Sequence, residues 1–307
     1  MSRVFDYITV NKVLPQGKDI ICLLSYENEG DPLGPPSSIK KLTLHEQHSH
    51  QETLYTTNVT LTDVTISSSG TIWAVDIFGH LHSSKPNLSG TRLYDELAPQ
   101  SHALDWSFQG VTDGTPVCII GEDDDLWIAT HERGLIHYDG QDFVTHPGME
   151  MPIRLKEVNG CYFLMGYHRQ LMQYTEGQWQ TSVFDESVPT NTPINDLTIS
   201  NGQLLAVSNI GLILSQQEEK VFSVMLRTPD IPWFGCDVLQ ETIYLAGGAR
   251  GAYKLDKGTV VSIKNKGHMV AVTAICDEVM FLLASTSSAG FVRHTPLNKN
   301  RWLLVKA

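Results

Sequence analysis

A repeating unit constrains the fold of this chain more than any other feature of its sequence. Residues 126–143, LWIATHERGLIHYDGQDF, contain two short apolar segments rich in β-forming residues, separated by a polar turn and closed by Asp139-Gly140. Weaker copies begin at Ile72, Tyr162, Leu204, Ile243 and Phe281. The position of Gly134 is taken in these copies by Gly79, Gln170, Gly211, Gly251 and Gly290, and the last four intervals are 36, 41, 40 and 39 residues. A period of about 40 residues is typical of the four-stranded blades of a β-propeller.

A seventh, degenerate copy lies in the N-terminal segment. Its strands are YITVNKVL, DIICLLSY, SIKKLTL and ETLYTTNV. The sequence therefore predicts an all-β, seven-bladed β-propeller of four-stranded antiparallel blades that occupies residues 1–307 as a single domain. The predicted blades are approximately 5–57, 58–98, 106–147, 152–186, 193–227, 232–264 and 268–307. We expect the ring to close without exchanging a strand between the two ends of the chain.

Residues 126–143 resemble the propeller repeats of two-component-regulator sensor domains. The consensus of those repeats also contains a Leu-Trp strand, a Gly-Leu strand and a Tyr-Asp-Gly turn, and the match covers 18 residues. The resemblance implies a propeller fold. The sensor-kinase and DNA-binding parts that usually accompany such repeats have no counterpart in the sequence.

The charge is strongly asymmetric along the chain. The formal net charge is −12, but residues 251–307 contain eight basic and three acidic side chains, which leaves −17 for the remainder. A surface this acidic repels nucleic acid and attracts basic partners. We therefore expect a protein partner, such as a basic toxin or effector domain, and no nucleic acid. The alternative is that the acidic surface serves solubility alone.

Compartment and cofactors follow from signals that the sequence lacks. The first residues, MSRVFDYITV, have no basic region followed by an apolar core, and no apolar run reaches about 18 residues. The five cysteines are odd in number, far apart and mostly within apolar segments, which is typical of reduced thiols that pack as small hydrophobes. We expect a cytoplasmic protein with no membrane segment, no disulfide framework and no cofactor.

Binding in a propeller is expected at the loops that join the second strand to the third and each outer strand to the next blade. These loops combine aromatic, arginine and carboxylate side chains, a mixture that suits a protein interface better than a metal site. The predicted protein-binding residues are Glu27, Glu29, Asp31, Asp76, Phe78, His131, Glu132, Arg133, Tyr167, His168, Arg169, Trp233, Phe234 and Arg250. Trp233 and Phe234 are braced by two prolines in TPDIPWFG, so they are either an exposed aromatic hot spot or the start of a buried inner strand.

The turns at His131 and His168 occupy equivalent positions in adjacent predicted blades. We expect their side chains to be neighbours, and they could either contact a protein carboxylate or perform acid–base chemistry on an anionic sugar. Neither a nucleophile nor a metal triad accompanies them, which favours contact over catalysis. The chain is therefore predicted to be a non-enzymatic protein-binding propeller, such as an immunity protein that neutralises a bacterial toxin. The alternatives are a glycan lyase or hydrolase that uses His131 and His168, and a subunit of a larger assembly.

Two other clusters of potential ligands are predicted to be structural. His45, His48 and His50 lie on a peripheral hairpin and lack a partner set at zinc spacing. The acidic run Glu122–Asp125 lacks the alternating spacing of a calcium loop, and we assign it to the tight turn between the first two strands of the third blade. No metal site is predicted.

Overall fold

A computed structural model describes most of the chain. The described residues are 7–16, 19–27, 36–44, 49–84, 106–110, 114–132, 134–217, 221–275, 278–283, 290–296 and 301–306. The chain divides into two compact units. Unit 1 is Met1–Gly148 with Ser285–Gly290 and Lys306–Ala307, and unit 2 is Met149–Ala284 with Phe291–Val305.

Twelve strands make up the first three sheets. The first sheet contains β1 (Tyr7–Gln16), β2 (Asp19–Glu27), β3 (Ser37–Leu44) and β4 (Ser49–Thr57). The second contains β5 (Leu61–Ile66), β6 (Ile72–Asp76), β7 (His80–Ser83) and β8 (Ser107–Gly110). The third contains β9 (Pro116–Glu122), β10 (Asp125–Thr130), β11 (Gly134–Tyr138) and β12 (Phe143–His146).

The remaining strands form four sheets. The fourth sheet contains β13 (Pro152–Val158), β14 (Cys161–Gly166), β15 (Leu171–Thr175) and β16 (Gln178–Thr181), and β17 (Val183–Phe184) follows it. The fifth contains β18 (Asp196–Ser200), β19 (Gln203–Ser208), β20 (Leu212–Gln216) and β21 (Val221–Arg227). The sixth contains β22 (Gly235–Leu239), β23 (Thr242–Ala246), β24 (Ala252–Asp256) and β25 (Thr259–Lys264). The seventh contains β26 (Met269–Ile275), β27 (Glu278–Leu283), β28 (Gly290–Thr295) and β29 (Arg301–Lys306).

The fold is the predicted one, an all-β, seven-bladed β-propeller, in which each of the seven sheets is a blade. Within each sheet, each of the four successive strands pairs in an antiparallel manner with the next one. The first sheet consists of β1–β4 and the last of β26–β29. Among the described residues there is no helix that could span a membrane.

The structure departs from the predicted blades at two outer edges. β8 pairs with β7, so it belongs to the second sheet, although the predicted limits placed these residues in the third blade. Its partner lies 24 or more positions earlier in the chain, and a local pattern does not show so distant a pairing. The fifth sheet has a fifth strand, because β17 pairs in parallel with β21. β17 covers backbone groups that the edge of β21 would otherwise expose, which is one way in which proteins protect an edge strand.

Apolar side chains pack between successive sheets rather than within one sheet. In unit 1, Val64 and Tyr55 belong to a core shared by the first two sheets, and the almost fully buried Trp73 belongs to a core shared by the second and third. In unit 2, three further cores join the fourth sheet to the fifth, the fifth to the sixth and the sixth to the seventh. Each fully buried large side chain contributes about 1.5–3 kcal/mol, so the contact between neighbouring blades is a main source of stability.

Buried carboxylates tie the innermost strands together. In unit 2, the Asp196 side chain of β18 accepts hydrogen bonds from the backbone N–H of Cys236, at 3.1 Å, and from Lys156 Nζ, at 3.0 Å. The Arg154 guanidinium lies 2.9 Å from the same carboxylate. Asp196 is fully buried and therefore depends on these partners. One aspartate thus connects the inner strands of the fourth, fifth and sixth sheets.

The same device recurs twice. In unit 1, the Asp63 carboxylate of β5 accepts a hydrogen bond from the Ile119 N–H of β9 at 2.9 Å and pairs with Lys12 of β1 at 2.7 Å. In unit 2, Asp237 of β22 accepts a hydrogen bond from the Ala274 N–H of β26 at 2.8 Å. The aspartates stand in the related segments TDVTI, NDLTI and CDVLQ, which the spacing of the turn glycines alone does not reveal.

The acidic run Glu122–Asp125 forms the predicted tight turn between β9 and β10. Its carboxylates hold the adjacent turn of the second sheet, because Asp123 accepts hydrogen bonds from Trp73 Nε1 at 3.0 Å and from Ser69 Oγ at 2.7 Å. Burial opposes ionisation of Asp123, but these hydrogen bonds outweigh it and lower its pKa to about 2. The run therefore joins two blades of unit 1.

Candidate functional site

The turns between the second and third strands of the blades share one conformational requirement. Gly79, Gly134, Gly211 and Gly251 all have a positive φ, between 79° and 99°. At Gly211 the Thr228 backbone, and at Gly251 the Lys264 backbone, leaves no room for a Cβ atom. Glycine is therefore needed for the left-handed conformation. It is also needed because the end of the outer strand of the same sheet passes close to the turn. The glycine position that recurs in the sequence therefore marks the turn residue that lies against the outer strand.

In unit 2 these turns are also bonded to the connection that leads into the next sheet. The Arg169 N–H donates to the Thr192 carbonyl at 2.7 Å, and the Gly248 N–H donates to the Met269 carbonyl at 2.8 Å. The turns and connections consequently form one continuous edge, held by backbone hydrogen bonds rather than by side chains alone.

The turn of the fourth sheet is built without a glycine. Gln170 replaces it, and the left-handed conformation moves to His168, with φ 56°, and Arg169, with φ 60°. Such a conformation is uncommon for residues other than glycine and costs about 1–3 kcal/mol each. The turn is held by a hydrogen bond from the Gln170 N–H to the Tyr167 carbonyl and by one from Arg169 Nη1 to the Val188 carbonyl, both 3.0 Å. Arg169 is thus occupied in fixing the turn, whereas Tyr167 and His168 are exposed.

Large apolar side chains are exposed along this edge of unit 2. Met151 is 51% exposed, Tyr167 41% and Ile210 42%. The Met151 backbone lies against Gly166, directly before Tyr167. Met151 precedes β13 and Ile210 lies in the turn between β19 and β20. Together with His168 they form what we call the unit 2 rim. Met151 lies in a connection between blades where binding was expected, but it was not selected as a binding residue. Ile210 was not predicted, because a single apolar residue in a polar turn gives no periodic signal.

Two hydrogen bonds join the backbone segments that bear the unit 2 rim in the fourth and fifth sheets. The Ile194 N–H donates to the Gly166 carbonyl at 2.9 Å, and the Asn209 N–H donates to Asn195 Oδ1 at 2.9 Å. Asn209 is the direct neighbour of Ile210 in the turn. The exposed side chains therefore stand on a rigid backbone, which lowers the entropic cost of binding.

Of the two alternatives for Trp233, the structure shows the buried ring at the start of an inner strand and not the exposed hot spot. Trp233 is fully buried in the core between the fifth and sixth sheets, and its Nε1 donates to Thr228 Oγ1 at 2.8 Å. A large aromatic ring at the start of an inner strand is more stable in the space between two blades than in water. Phe234 is half-buried and packs over Gly248, with its ring 6.3 Å from that of His268. It remains partly available at the edge.

Arg250 lies in the turn between β23 and β24, where it is exposed. Its backbone is fixed by a hydrogen bond from its N–H to the Gly247 carbonyl, at 3.0 Å, and by one from Tyr253 Oη to its own carbonyl, at 3.0 Å. The side chain is left for contacts outside the turn.

In unit 1, Asp76 is 1% exposed, so the prediction that it contacts a partner is wrong. Its carboxylate interacts with His80 Nδ1 at 2.9 Å and with His82 Nε2 at 2.8 Å, and the Tyr55 hydroxyl lies 2.7 Å from His82 Nδ1. Burial opposes ionisation of Asp76, but the two imidazoles outweigh it and hold the pKa of the carboxyl below its usual range. Conversely, the hydrogen bond with Asp76 raises the pKa of His80. A buried carboxylate depends on such partners, because an unpaired charge inside the protein is costly.

This network positions an exposed aromatic side chain. The Phe78 N–H donates to Asp76 Oδ1 at 2.8 Å, and the Phe78 ring is 45% exposed. Phe78 therefore occupies in the second sheet the kind of position that Tyr167 and Ile210 occupy in unit 2.

The turn of the third sheet presents His131 to solvent, whereas the Glu132 carboxylate is engaged within unit 1. It accepts hydrogen bonds from the Thr115 N–H at 2.7 Å and from Thr115 Oγ1 at 3.1 Å. The backbone hydrogen bond lowers the pKa of Glu132. His131 and His168 belong to different compact units, and their predicted proximity stays a prediction.

Several predicted residues lie outside the described part of the chain. Glu27 ends β2, but its side chain, together with Glu29, Asp31 and Arg133, is not among the described residues. The same holds for His45 and His48, whereas His50 is exposed on β4. Within the described ranges, no group of three His, Cys, Asp or Glu side chains is arranged to hold a metal ion.

Comparison with solved structures yields other propellers. The chain is similar to the WD40 β-propeller domain of Doa1, with a TM-score of 0.64 and 13% identity over 98% of this chain and 97% of that one. It is similar to YCF48 bound to a D1 peptide, with a TM-score of 0.56 and 13% identity over 80% of each chain. It is also similar to the Pan2 WD40 domain of Neurospora crassa, with a TM-score of 0.55 and 10% identity over 80% and 79%. No protein-family model and no curated protein matches the sequence. At this level of identity the likeness establishes the propeller fold alone.

Proposed function

We propose that this chain is a protein-binding propeller that contacts its partner through the edge bearing the turns between second and third strands. The observation that carries this proposal is the unit 2 rim, where Met151, Tyr167 and Ile210 are each more than 40% exposed, the last two on hydrogen-bonded turns. Exposed aromatic and apolar side chains on a rigid frame are the composition expected of an interface centre. The similarity to a peptide-bound propeller, YCF48, supports the same mode of action.

A narrower form of the proposal is a dedicated inhibitor, such as the immunity protein of a bacterial toxin, acting in the cytoplasm. It is supported by repeats that have diverged from one another and by the net charge of −12, which would accelerate association with a basic toxin. We also propose that residues 126–143 are related to two-component-regulator-type repeats. This relation concerns the ancestry of the blades and not the binding function.

Capture experiments with matched variants test the general proposal. The tagged full chain would be incubated with an extract of its native source, alongside Tyr167→Asp and Ile210→Asp. Val261→Asp is the control, since Val261 is 38% exposed on the outer strand β25, away from the turns. We expect one protein to be captured in stoichiometric amount by the unmodified chain and by Val261→Asp, and to be lost from both rim variants. Equal capture by all four proteins would contradict the proposal.

The inhibitor form has its own test. If the captured partner is a toxin, co-expression with the unmodified chain should restore growth, and co-expression with Tyr167→Asp should not. A captured partner without toxicity would exclude the inhibitor and leave the binding function intact.

A further inference from the structure

The sixth and seventh sheets of unit 2 bring basic side chains together beside the rim-bearing edge. The turn that contains Arg250 is paired with the connection that leads into β26: Gly248 and Met269 exchange two backbone hydrogen bonds, of 2.8 and 2.9 Å. The last residue of β25, Lys264, packs its backbone against Gly251 of the same turn. Lys266 and His268, on the intervening connection, are exposed. We call Arg250, Lys264, Lys266 and His268 the basic edge.

The cations of the basic edge differ from other cations of unit 2. Lys156 pairs with Asp196 at 3.0 Å, Arg293 with Glu278 at 2.6 Å and Lys254 with Asp256 at 3.6 Å. In the part of the chain that the structure describes, no carboxylate forms an ion pair with Arg250, Lys264 or Lys266. An incoming anion therefore need not displace a carboxylate from these three cations.

Aromatic rings flank these charges. Lys264 Nζ lies 4.8 Å from the centre of the Trp302 ring, which itself stacks on His294 at 4.2 Å. At the other side, the half-buried Phe234 ring packs over Gly248 and against His268. The Trp302 contact fixes the direction of one ammonium group, and Phe234 offers an apolar surface within the patch. Ordered cations next to a partly exposed ring suit a segment that carries both acidic and apolar side chains.

We propose that the basic edge binds an acidic segment of the protein partner, with carboxylates on Arg250 and Lys266 and an apolar side chain on Phe234. This inference rests on the proposed function, because it assigns chemistry to part of the same edge. The net charge of the chain predicts a basic partner, whereas the segment of the partner that binds the basic edge is acidic. Long-range attraction depends on the summed charge, whereas a contact depends on the side chains within a few ångströms. The net charge of −12 also disfavours nucleic acid as the anion.

Fluorescence polarisation with defined probes tests this inference. The probe is a short labelled peptide of glutamates with interspersed leucines, and the reference peptides carry glutamine in place of glutamate. A single-stranded oligonucleotide of similar length is a further arm. We expect the acidic peptide to bind the full-length chain, to bind less tightly as salt is raised, and to bind at least about tenfold less tightly to Arg250→Glu/Lys266→Glu, since a tenfold change corresponds to about 1.4 kcal/mol.

Lys257→Glu is the matched control. Lys257 is exposed in the turn between β24 and β25, and its φ is 49°. In the equivalent turn of the fourth sheet, Glu176 stands before Gly177 and has a φ of 53°. The turn therefore accommodates glutamate, and the control changes charge without changing the basic edge. Equal weakening by Lys257→Glu, equal binding of the glutamine peptide, or tighter binding of the oligonucleotide would each overturn the inference. If the acidic peptide fails while capture still depends on Tyr167 and Ile210, the inference falls and the proposed function stands.

Discussion

The backbone N–H of Cys236 donates a 3.1 Å hydrogen bond to the fully buried Asp196 carboxylate, so that a side chain of the fifth sheet satisfies the inner strand of the sixth. An inner strand has a sheet neighbour on one side only, and a buried N–H without a partner is costly. Asp63 and Asp237 make the equivalent bonds in the second and sixth sheets. The blades are thus joined by polar contacts as well as by apolar packing.

Replacement of Asp196 by alanine should strongly destabilise the protein. The change leaves the buried charge of Lys156 without its carboxylate, although its hydrogen bond to the Cys236 carbonyl remains. Together with the unsatisfied Cys236 N–H, this should lower the free energy of unfolding by about 3–5 kcal/mol. Urea unfolding followed by tryptophan fluorescence measures this. Asp230→Ala, at an exposed position, should stay within about 0.5 kcal/mol of the unmodified chain. Similar stabilities for the two variants would show that the carboxylate does not join the blades.

Alanine at Gly211 should be more harmful than alanine at Gly202. Both glycines have a similar positive φ, 79° and 76°, but the Thr228 backbone closes the space at Gly211, whereas nothing lies within 4 Å of a Cβ at Gly202. Gly202→Ala should therefore lose about 1 kcal/mol through backbone strain alone. Gly211→Ala should lose about 2–4 kcal/mol, because overpacking is added. Equal losses in urea unfolding would mean that the strand leaving the outer edge yields to the added methyl group.

Trp233→Ala and Tyr167→Ala should separate stability from binding. Trp233 is fully buried, so its loss should reduce the free energy of unfolding by about 3–5 kcal/mol. Tyr167 is 41% exposed, so Tyr167→Ala should change stability by less than about 1 kcal/mol while it weakens capture of the partner. A stable Trp233→Ala protein that no longer captures the partner would instead support a direct role of Trp233 in binding.

Stability should depend on pH through Asp76 and His80. The pKa of His80 is raised above its ordinary value of 6.5 by the hydrogen bond with Asp76, so its contribution is complete below about pH 6.5 and is lost as pH rises through the folded-state pKa. The pKa of Asp76 is lowered despite burial, by the two imidazoles, so its contribution is present above the ordinary value of 3.8 and is lost as pH falls toward the folded-state pKa.

Urea unfolding between pH 5 and pH 9 measures this dependence. The free energy of unfolding should fall as pH rises above about 6.5, and His80→Gln should reduce that slope. His50→Gln is the control, because His50 is exposed on β4. An unchanged slope in His80→Gln would assign the pH dependence to another group.

Repetition made the architecture predictable from the sequence. Gly134, Gly211 and Gly251 recur because each copy needs a left-handed turn against which a neighbouring strand packs, and this local requirement is visible in one dimension. The alternation of short apolar segments and turns likewise determined the all-β class and the number of blades. The two errors in blade limits, at β8 and β17, concern edge strands, whose pairing depends on distant partners rather than on their own residues.

Exposure was decided by the tertiary structure alone. Trp233 and Tyr167 are both aromatic residues in loops, and only the packing of neighbouring blades buries the first and leaves the second at the surface. Asp76, at the end of β6, and Arg250, in a turn, are both charged, but two imidazoles enclose the carboxylate, while the guanidinium is exposed. Local sequence determines which backbone conformation a turn adopts. Whether its side chains point into a core or toward a partner depends on elements that come together only when the blades pack side by side.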